Sequence, residues 1–221
     1  MEAALEVKDL SKKYDSVIAL AKSNFRVFPG EIAILAGPNG SGKTTLLSCI
    51  TGLIRPTSGR VSVGDYDFDR HEVEFHRRLA FVPDVPRFYV ELTAWEHLRF
   101  IAMANRVLEG FDGKAERILS DFGLWEYRDL FPHHYSRGMQ LKLGLALAFI
   151  RPFQVLLLDE PTSALDQESV GVLIDYLKNL RANQASILLS SHDPHLADRL
   201  GDRKMHMKQG VITEISDDVQ R

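Results

Sequence analysis

Ile32-Ala33-Ile34-Leu35-Ala36-Gly37-Pro38-Asn39-Gly40-Ser41-Gly42-Lys43-Thr44-Thr45-Leu46-Leu47 is the stretch on which the reading of this chain turns. A short apolar run of strand type leads into Gly-x-x-x-x-Gly-Lys-Thr at 37–44. Leu46, Leu47, Ile50 and Leu53 then follow at the spacing of one helical face. Strand, glycine loop, helix is the context that a phosphate-binding loop demands. Glycines let the backbone curl so that successive N–H groups turn inward on phosphate oxygens, and the helix start adds positive potential. Gly37, Pro38, Asn39, Gly40, Ser41, Gly42, Lys43, Thr44 and Thr45 are therefore the candidate phosphate site. In it Lys43 reaches the β- and γ-phosphates and Thr44 binds Mg²⁺.

A second stretch, Val155-Leu156-Leu157-Leu158-Asp159-Glu160, ends a continuous apolar run in two carboxylates. Such a run suits a parallel strand covered on both faces. Ligands in sheets of this kind bind at the carboxyl ends of the strands. Asp159 is placed to hold Mg²⁺, mostly through water, and Glu160 to polarise an attacking water. The plain alternative, an acidic turn before Pro161, loses ground beside a phosphate loop. His192 stands at another such edge, after Ile187–Leu189 and Ser190-Ser191, where a lone histidine is more often structural. Ser136 precedes a helix pattern of Met139, Leu143, Ala146, Leu147 and Ile150, so it is a natural N-cap, and its helix start suits a plain cap as well as a second anion site. Tyr14 suits either stacking on a base or core packing. Asp166, before Val170, Leu173, Ile174 and Leu177, suits a helix cap as well as an interface role.

Around these motifs the composition is that of one globular α/β domain. The 221 residues are 45% apolar and 26% charged, with mean hydropathy −0.13 and a net charge of −3. That balance argues against a strongly basic nucleic-acid footprint spread over the whole surface and leaves a local basic patch open. Cys49, the lone cysteine, excludes an intrachain disulfide, suits a reducing compartment, and reads as a small packed thiol. No signal peptide is apparent, the longest apolar or glycine stretch is Leu143 to Ile150, and Asp217 with Asp218 is too short for an acidic tail. Val61–Val63 and Leu79–Val82 add further strand-like runs. Between about Asp84 and Ser136 helix signals take over. Thr93 and Glu96 form a capping box ahead of Leu98, Ile101 and Ala102. Ala115, Ile118, Leu119 and Phe122 repeat with helical period, with Gly123 as a left-handed cap. Trp95 is expected in the core of this helical region and Trp125 in its core or on a docking surface. His133-His134 lacks a second ligand pair nearby and reads as a loop pair.

Taken in order, Tyr14, the Gly37–Thr44 loop, Tyr135-Ser136-Arg137-Gly138-Met139, Asp159-Glu160, Ser163–Asp166 and His192 resemble the motif series of an ABC transporter nucleotide-binding domain. The resemblance covers nearly the whole chain. It implies a P-loop NTPase core with a mixed, largely parallel sheet, an N-terminal antiparallel β region, and an α-helical subdomain of about residues 84–147 inserted into a single 1–221 domain. It also implies ATP and Mg²⁺ as ligands, with Tyr14 stacking on adenine. Lys43, Glu160 and His192 would be catalytic, and His192 would sense the γ-phosphate. Two chains, in the simplest case a homodimer, would sandwich two ATP molecules, with Ser136 and Gly138 touching the γ-phosphate in trans and Asp166 facing the opposite subunit.

The partners so implied are a second ATP-binding subunit and a transmembrane permease subunit docked on the helical subdomain, at the cytoplasmic face of the cell membrane. Many relatives read Leu-Ser-Gly-Gly-Gln where this chain has Tyr135, Arg137 and Met139 at the first, third and fifth places. They also carry Gln where Val82-Pro83 is here followed by Asp84, which makes Asp84 a third candidate for Mg²⁺. Both variants resemble the stand-alone ATPase subunits of drug, antibiotic or polysaccharide exporters. The alternative is an ABC-type ATPase switch on a soluble assembly partner. The chain lacks the fused second domain and the long coiled-coil insertions of ribosomal and DNA-repair relatives. A nucleotide binder without catalysis is disfavoured by the presence of Lys43, Thr44, Asp159, Glu160 and His192.

Overall fold

The computed structural model describes residues 2–215 except 194, 195, 197 and 198, with the backbone alone for Glu214 and Ile215; Asp217 and Asp218 lie outside the described residues. The chain divides into two compact units. The first comprises residues 1–81, 153–160 and 177–221, and the second 82–152 and 161–176.

The first unit carries two sheets. Strands β1 (Leu5–Tyr14), β2 (Val17–Val27), β4 (Ser58–Val63) and β5 (Tyr66–Asp67) form an antiparallel sheet in the order β2-β1-β4-β5. The other sheet runs β10-β9-β3-β8-β7-β6, with β3 (Ile32–Ala36), β6 (Leu79–Val82), β7 (Val155–Asp159), β8 (Ser186–Ser191), β9 (Arg203–Lys208) and β10 (Val211–Ile215). β3 pairs in parallel with β8 and β9, and β8 with β7, while β10 returns antiparallel along β9. Every residue of β7 and β8 is buried, as expected of parallel strands covered on both faces.

Helix α1 (Lys43–Ile50) packs against β1, β2 and β7. Its Leu46, Leu47 and Ile50 join Leu5, Val7 and Leu20 of the antiparallel sheet and Ala33, Leu35 and Leu157 of the parallel one in a single core. The alternation of Ala33 and Leu35 toward this core follows from the two-residue period of a strand. Leu53, expected on the same helical face, is not there. The helix ends at Ile50, Gly52 adopts φ +74° and turns the chain, and Leu53 is 70% exposed. Cys49 is buried in this core, and burial pushes its thiol pKa up. Helix α2 (Glu72–Arg78) anchors itself through Phe75, which meets Phe68 edge-on.

The second unit is helical. α3 (Ala94–Ala104), α4 (Phe111–Asp121) and α5 (Arg137–Phe149) pack on one another through apolar faces that include Leu98, Ala102, Ala115, Leu119, Leu141 and Leu145. The Thr93–Glu96 capping box is formed in both directions and opens α3. Gly123 at φ +67° closes the turn after α4. Segment 161–176, which opens α6 (Gln167–Ala182), also belongs here: Tyr176 stacks on Phe149 and Phe122 and donates to Asp121 Oδ2 at 2.6 Å. Trp95 meets Phe111 and Trp125 edge-on, and the Arg128 guanidinium lies 4.1 Å above the Trp125 ring. His97 is buried. Its Nδ1 lies 2.7 Å from the Thr93 carbonyl and its Nε2 accepts from the Tyr89 amide at 2.9 Å, a pairing that the Nδ1–H tautomer satisfies.

Candidate ATP site

The loop between β3 and α1 is walled by backbone. A Cβ on Gly37 would sit 2.2 Å from the Met207 carbonyl oxygen of β9, and one on Gly42 would sit 2.7 Å from the Ala19 carbonyl oxygen of β2. Neither neighbour is the end of a flexible side chain, so only glycine lets the chain curl here. The Gly210 amide donates to the Ser41 carbonyl at 2.8 Å and ties the loop to the β9–β10 turn. Pro38, Asn39 and Gly40 are exposed at the loop's rim, as is the side chain of Thr44, while Thr45 is half-buried. Ser41 Oγ is buried and has no hydrogen-bond partner among the described residues. An orphaned buried hydroxyl is costly, and an anionic oxygen held by the loop would satisfy it.

Lys43 is buried at the first position of α1. Its ammonium donates to the Gly37 carbonyl at 2.7 Å and pairs with Glu160 Oε1 at 3.2 Å. Glu160 follows the last residue of β7 with φ +47°, a left-handed backbone that a non-glycine residue adopts at a cost. Its other oxygen, Oε2, lies 2.8 Å from His192 Nδ1 and accepts from the His192 amide at 3.3 Å. The carboxylate is thus held from both sides, by a lysine and a histidine that sequence places 149 residues apart. Asp159, fully buried, accepts a hydrogen bond of 2.6 Å from Ser190 Oγ, and Ser190 Oγ in turn accepts from the Glu160 amide at 3.0 Å. Ser190 therefore orders both carboxylate-bearing residues. Sequence reasoning passed over it, although the β7–β8 register that sets Asp159 opposite Ser190 supplies the reason. Tyr14 ends β1 with its ring 44% exposed and the Lys12 ammonium 4.7 Å from the ring centroid.

A second cluster lies within the helical unit. Ser136 caps α5, its Oγ accepting from the Met139 amide at 3.2 Å. A Cβ on Gly138 would stand 2.7 Å from the Ala164 carbonyl oxygen, so the glycine is set by a close approach of backbone to helix. Asp166 caps α6 through the Ser169 amide at 2.8 Å and pairs with Lys142 at 2.8 Å. The Lys142 ammonium, with the Ser169 amide, holds the Asp166 carboxyl well below the usual carboxylate range. Tyr135 donates to the Tyr127 carbonyl at 2.7 Å, and burial pushes its phenol up to about 12. Asp84 accepts from Arg137 Nη2 at 3.0 and 3.1 Å and from Ser163 Oγ at 2.6 Å. The structure thus assembles Lys43, Asp159, Glu160 and His192 in one unit, and Asp84, Ser136 and Gly138 in the other.

The model of the ABC transporter family matches residues 20–163. The chain is 33% identical over 215 residues to the uncharacterized ABC transporter ATP-binding protein YdbJ of Bacillus subtilis, covering 96% of this chain and 68% of that protein. It is 34% identical over 218 residues to the human phospholipid-transporting ATPase ABCA3, covering 95% of this chain. The chain spans 13% of the length of that relative. A solved structure described as the ATP-binding subunit of an ABC transporter superposes with a TM-score of 0.90 at 33% identity, over 97% of this chain and 91% of the other. A cassette in a post-hydrolysis dimer with ADP and Pi, 24% identical, shares the fold with a TM-score of 0.85 over 95% of this chain and 98% of its own. With the phosphate loop and the paired carboxylates formed as described, the chain belongs to the ABC transporter family and is an ATP-binding ATPase cassette of it.

Proposed function

We propose that the chain binds Mg-ATP at the loop of residues 37–45, dimerises on it, and energises a separate transmembrane subunit, most simply as a homodimer serving an exporter. The observation that carries this reading is Glu160, held at the end of β7 between Lys43 and His192. In that position its carboxylate accepts the proton of an attacking water, while His192 keeps its orientation. Lys43 turns its ammonium to the β- and γ-phosphates, and the loop amides take the remaining oxygens. Thr44 and Asp159 offer the hard oxygen donors that Mg²⁺ prefers, and the cation neutralises phosphate charge when bound. Among the described residues no cluster of three or more His, Cys, Asp or Glu could hold a metal on its own.

The exposed ring of Tyr14 suits stacking on adenine, and Ser136 with Gly138 suits the terminal phosphate on a second copy. On the helical unit Val85, Tyr89, Val90, Phe100 and Met103 expose apolar surface suited to a permease. No helix among the described residues is long and apolar enough to cross a membrane; in this reading the membrane-spanning part is a partner, and the chain sits peripherally on the cytoplasmic face.

Glu160→Gln tests the core of the reading. ATP binding should persist while turnover falls by roughly 10²-fold, the scale of lost general-base help. Sedimentation of that variant should show dimers with ATP and monomers without. Undiminished turnover removes Glu160 from its role, and co-purification with a soluble scaffold in place of a multi-span protein would favour the switch.

A further inference from the structure

Asp84 and Arg137 are two positions where the sequence leaves the family pattern, acid for Gln and base for Gly, and within the helical unit they meet. Arg137 Nη2 reaches both oxygens of Asp84 at 3.0 and 3.1 Å, and Ser163 Oγ donates to Oδ1 at 2.6 Å. The carboxylate thereby joins three segments far apart in sequence: the loop after β6, the first turn of α5, and the loop before α6. Gly138 against Ala164 and Lys142 against Asp166 join the latter two again, at the next residue and about one and a half turns along α5. Arg137 is 58% exposed and Asp84 34%, and exposed pairs of this kind add little to global stability. Their effect is on geometry. A neutral Gln at 84 could not balance a guanidinium at 137, and a Gly at 137 would leave a carboxylate at 84 without its cation.

We propose that Asp84 is a positioning residue: through Arg137 and Ser163 it fixes the Ser136–Gly138 turn against the 161–166 loop, and its carboxylate serves this pairing in place of Mg²⁺. The consequence for turnover rests on the function proposed above, since Ser136 and Gly138 are there assigned to phosphate. The pairing itself does not.

Two measurements on Asp84→Ala, Arg137→Ala and the double variant separate these points. Hydrogen exchange on the nucleotide-free protein should quicken about fivefold over 138–142 and 163–169 in each single variant, and no further in the double, as for coupled neighbours. Effects that multiply in the double overturn the pairing. ATP hydrolysis should fall about three- to tenfold alike in both singles, with no further loss in the double and Mg²⁺ half-saturation unchanged within about twofold. Asp84→Ala raising the Mg²⁺ requirement about tenfold while Arg137→Ala is silent would instead make Asp84 a metal ligand. Asp84→Gln should lose activity that Asp84→Gln with Arg137→Gly regains, a rescue that loss of packing alone would not give. A parent protein that hydrolyses no ATP would sink the proposed function and leave the exchange result to decide the pairing. Should Asp84→Ala not fold, Asp84→Asn, which removes charge but keeps size, takes its place.

Discussion

Ser190 Oγ stands between the two acidic residues at the end of β7, donating to Asp159 Oδ1 at 2.6 Å and accepting the Glu160 amide at 3.0 Å. One hydroxyl on the neighbouring strand thus fixes the side chain of one carboxylate and the backbone of the other. Because the Glu160 backbone is left-handed at φ +47°, that amide contact also helps to hold a conformation the residue would not adopt freely.

Ser190→Ala should therefore damage catalysis more than binding. The Asp159 oxygen left without its donor costs about 1–3 kcal/mol, the Glu160 amide keeping the Ser190 carbonyl at 3.2 Å, and turnover should drop roughly 10-fold or more while ATP affinity changes little. Parallel measurement of steady-state hydrolysis and ATP binding checks this. Equal losses in both would assign Ser190 to the nucleotide pocket as a whole.

His192→Ala removes the 2.8 Å partner of Glu160 Oε2 but leaves Lys43 on Oε1. The expected result is a fall in kcat of roughly 10- to 100-fold with ATP binding retained. A rise in KM with kcat unchanged would show that the imidazole serves binding alone.

Gly138→Ala places a methyl group 2.7 Å from the Ala164 carbonyl oxygen. Relieving that overlap requires the 161–166 loop or the start of α5 to shift, at a cost of about 1–3 kcal/mol. Thermal unfolding should report the loss; a midpoint equal to the parent's would mean that the two segments part without strain.

The depressed Asp166 carboxyl gives a pH signature. A carboxylate whose folded-state value lies below its unfolded one stabilises the fold while ionised. Its contribution is complete above the unfolded-state value, near 3.9, and is lost as pH falls through the folded-state value. With the side chain 58% exposed, solvent screening limits the contribution to at most about 1 kcal/mol. Asp166→Asn should accordingly be slightly less stable than the parent at pH 7, with the gap closing on acidification below about pH 4. A gap that widens in acid would contradict the assigned ion pair.

Local rules made the phosphate loop, the capping box, the turn at Gly123 and the N-cap at Ser136 readable, because each rests on a few adjacent residues whose types are physically required. β3 and β6 are likewise bounded where apolar runs end. Leu53 was misplaced because helical periodicity says nothing of where a glycine turns the chain away. The membership of residues 161–176 in the helical unit depends on Tyr176 stacking on Phe149 and Phe122, a contact between segments that no local pattern encodes. Ser190 and the Asp84–Arg137 pair escaped notice for the same reason. Each acquires its partner through strand register or loop approach, across 31 and 53 residues.

The wall that Met207 and Gly210 build against the phosphate loop has a consequence for biosynthesis. The residues it closes on, Gly37 to Gly42, are translated about 170 residues earlier, so at 5–20 residues per second the ribosome needs on the order of 10 s to deliver the wall. Until then the nascent chain has its glycines in place with only the β2 side of the wall, at Ala19, beside them, and the pocket should become able to capture nucleotide only after β9 and Gly210 emerge.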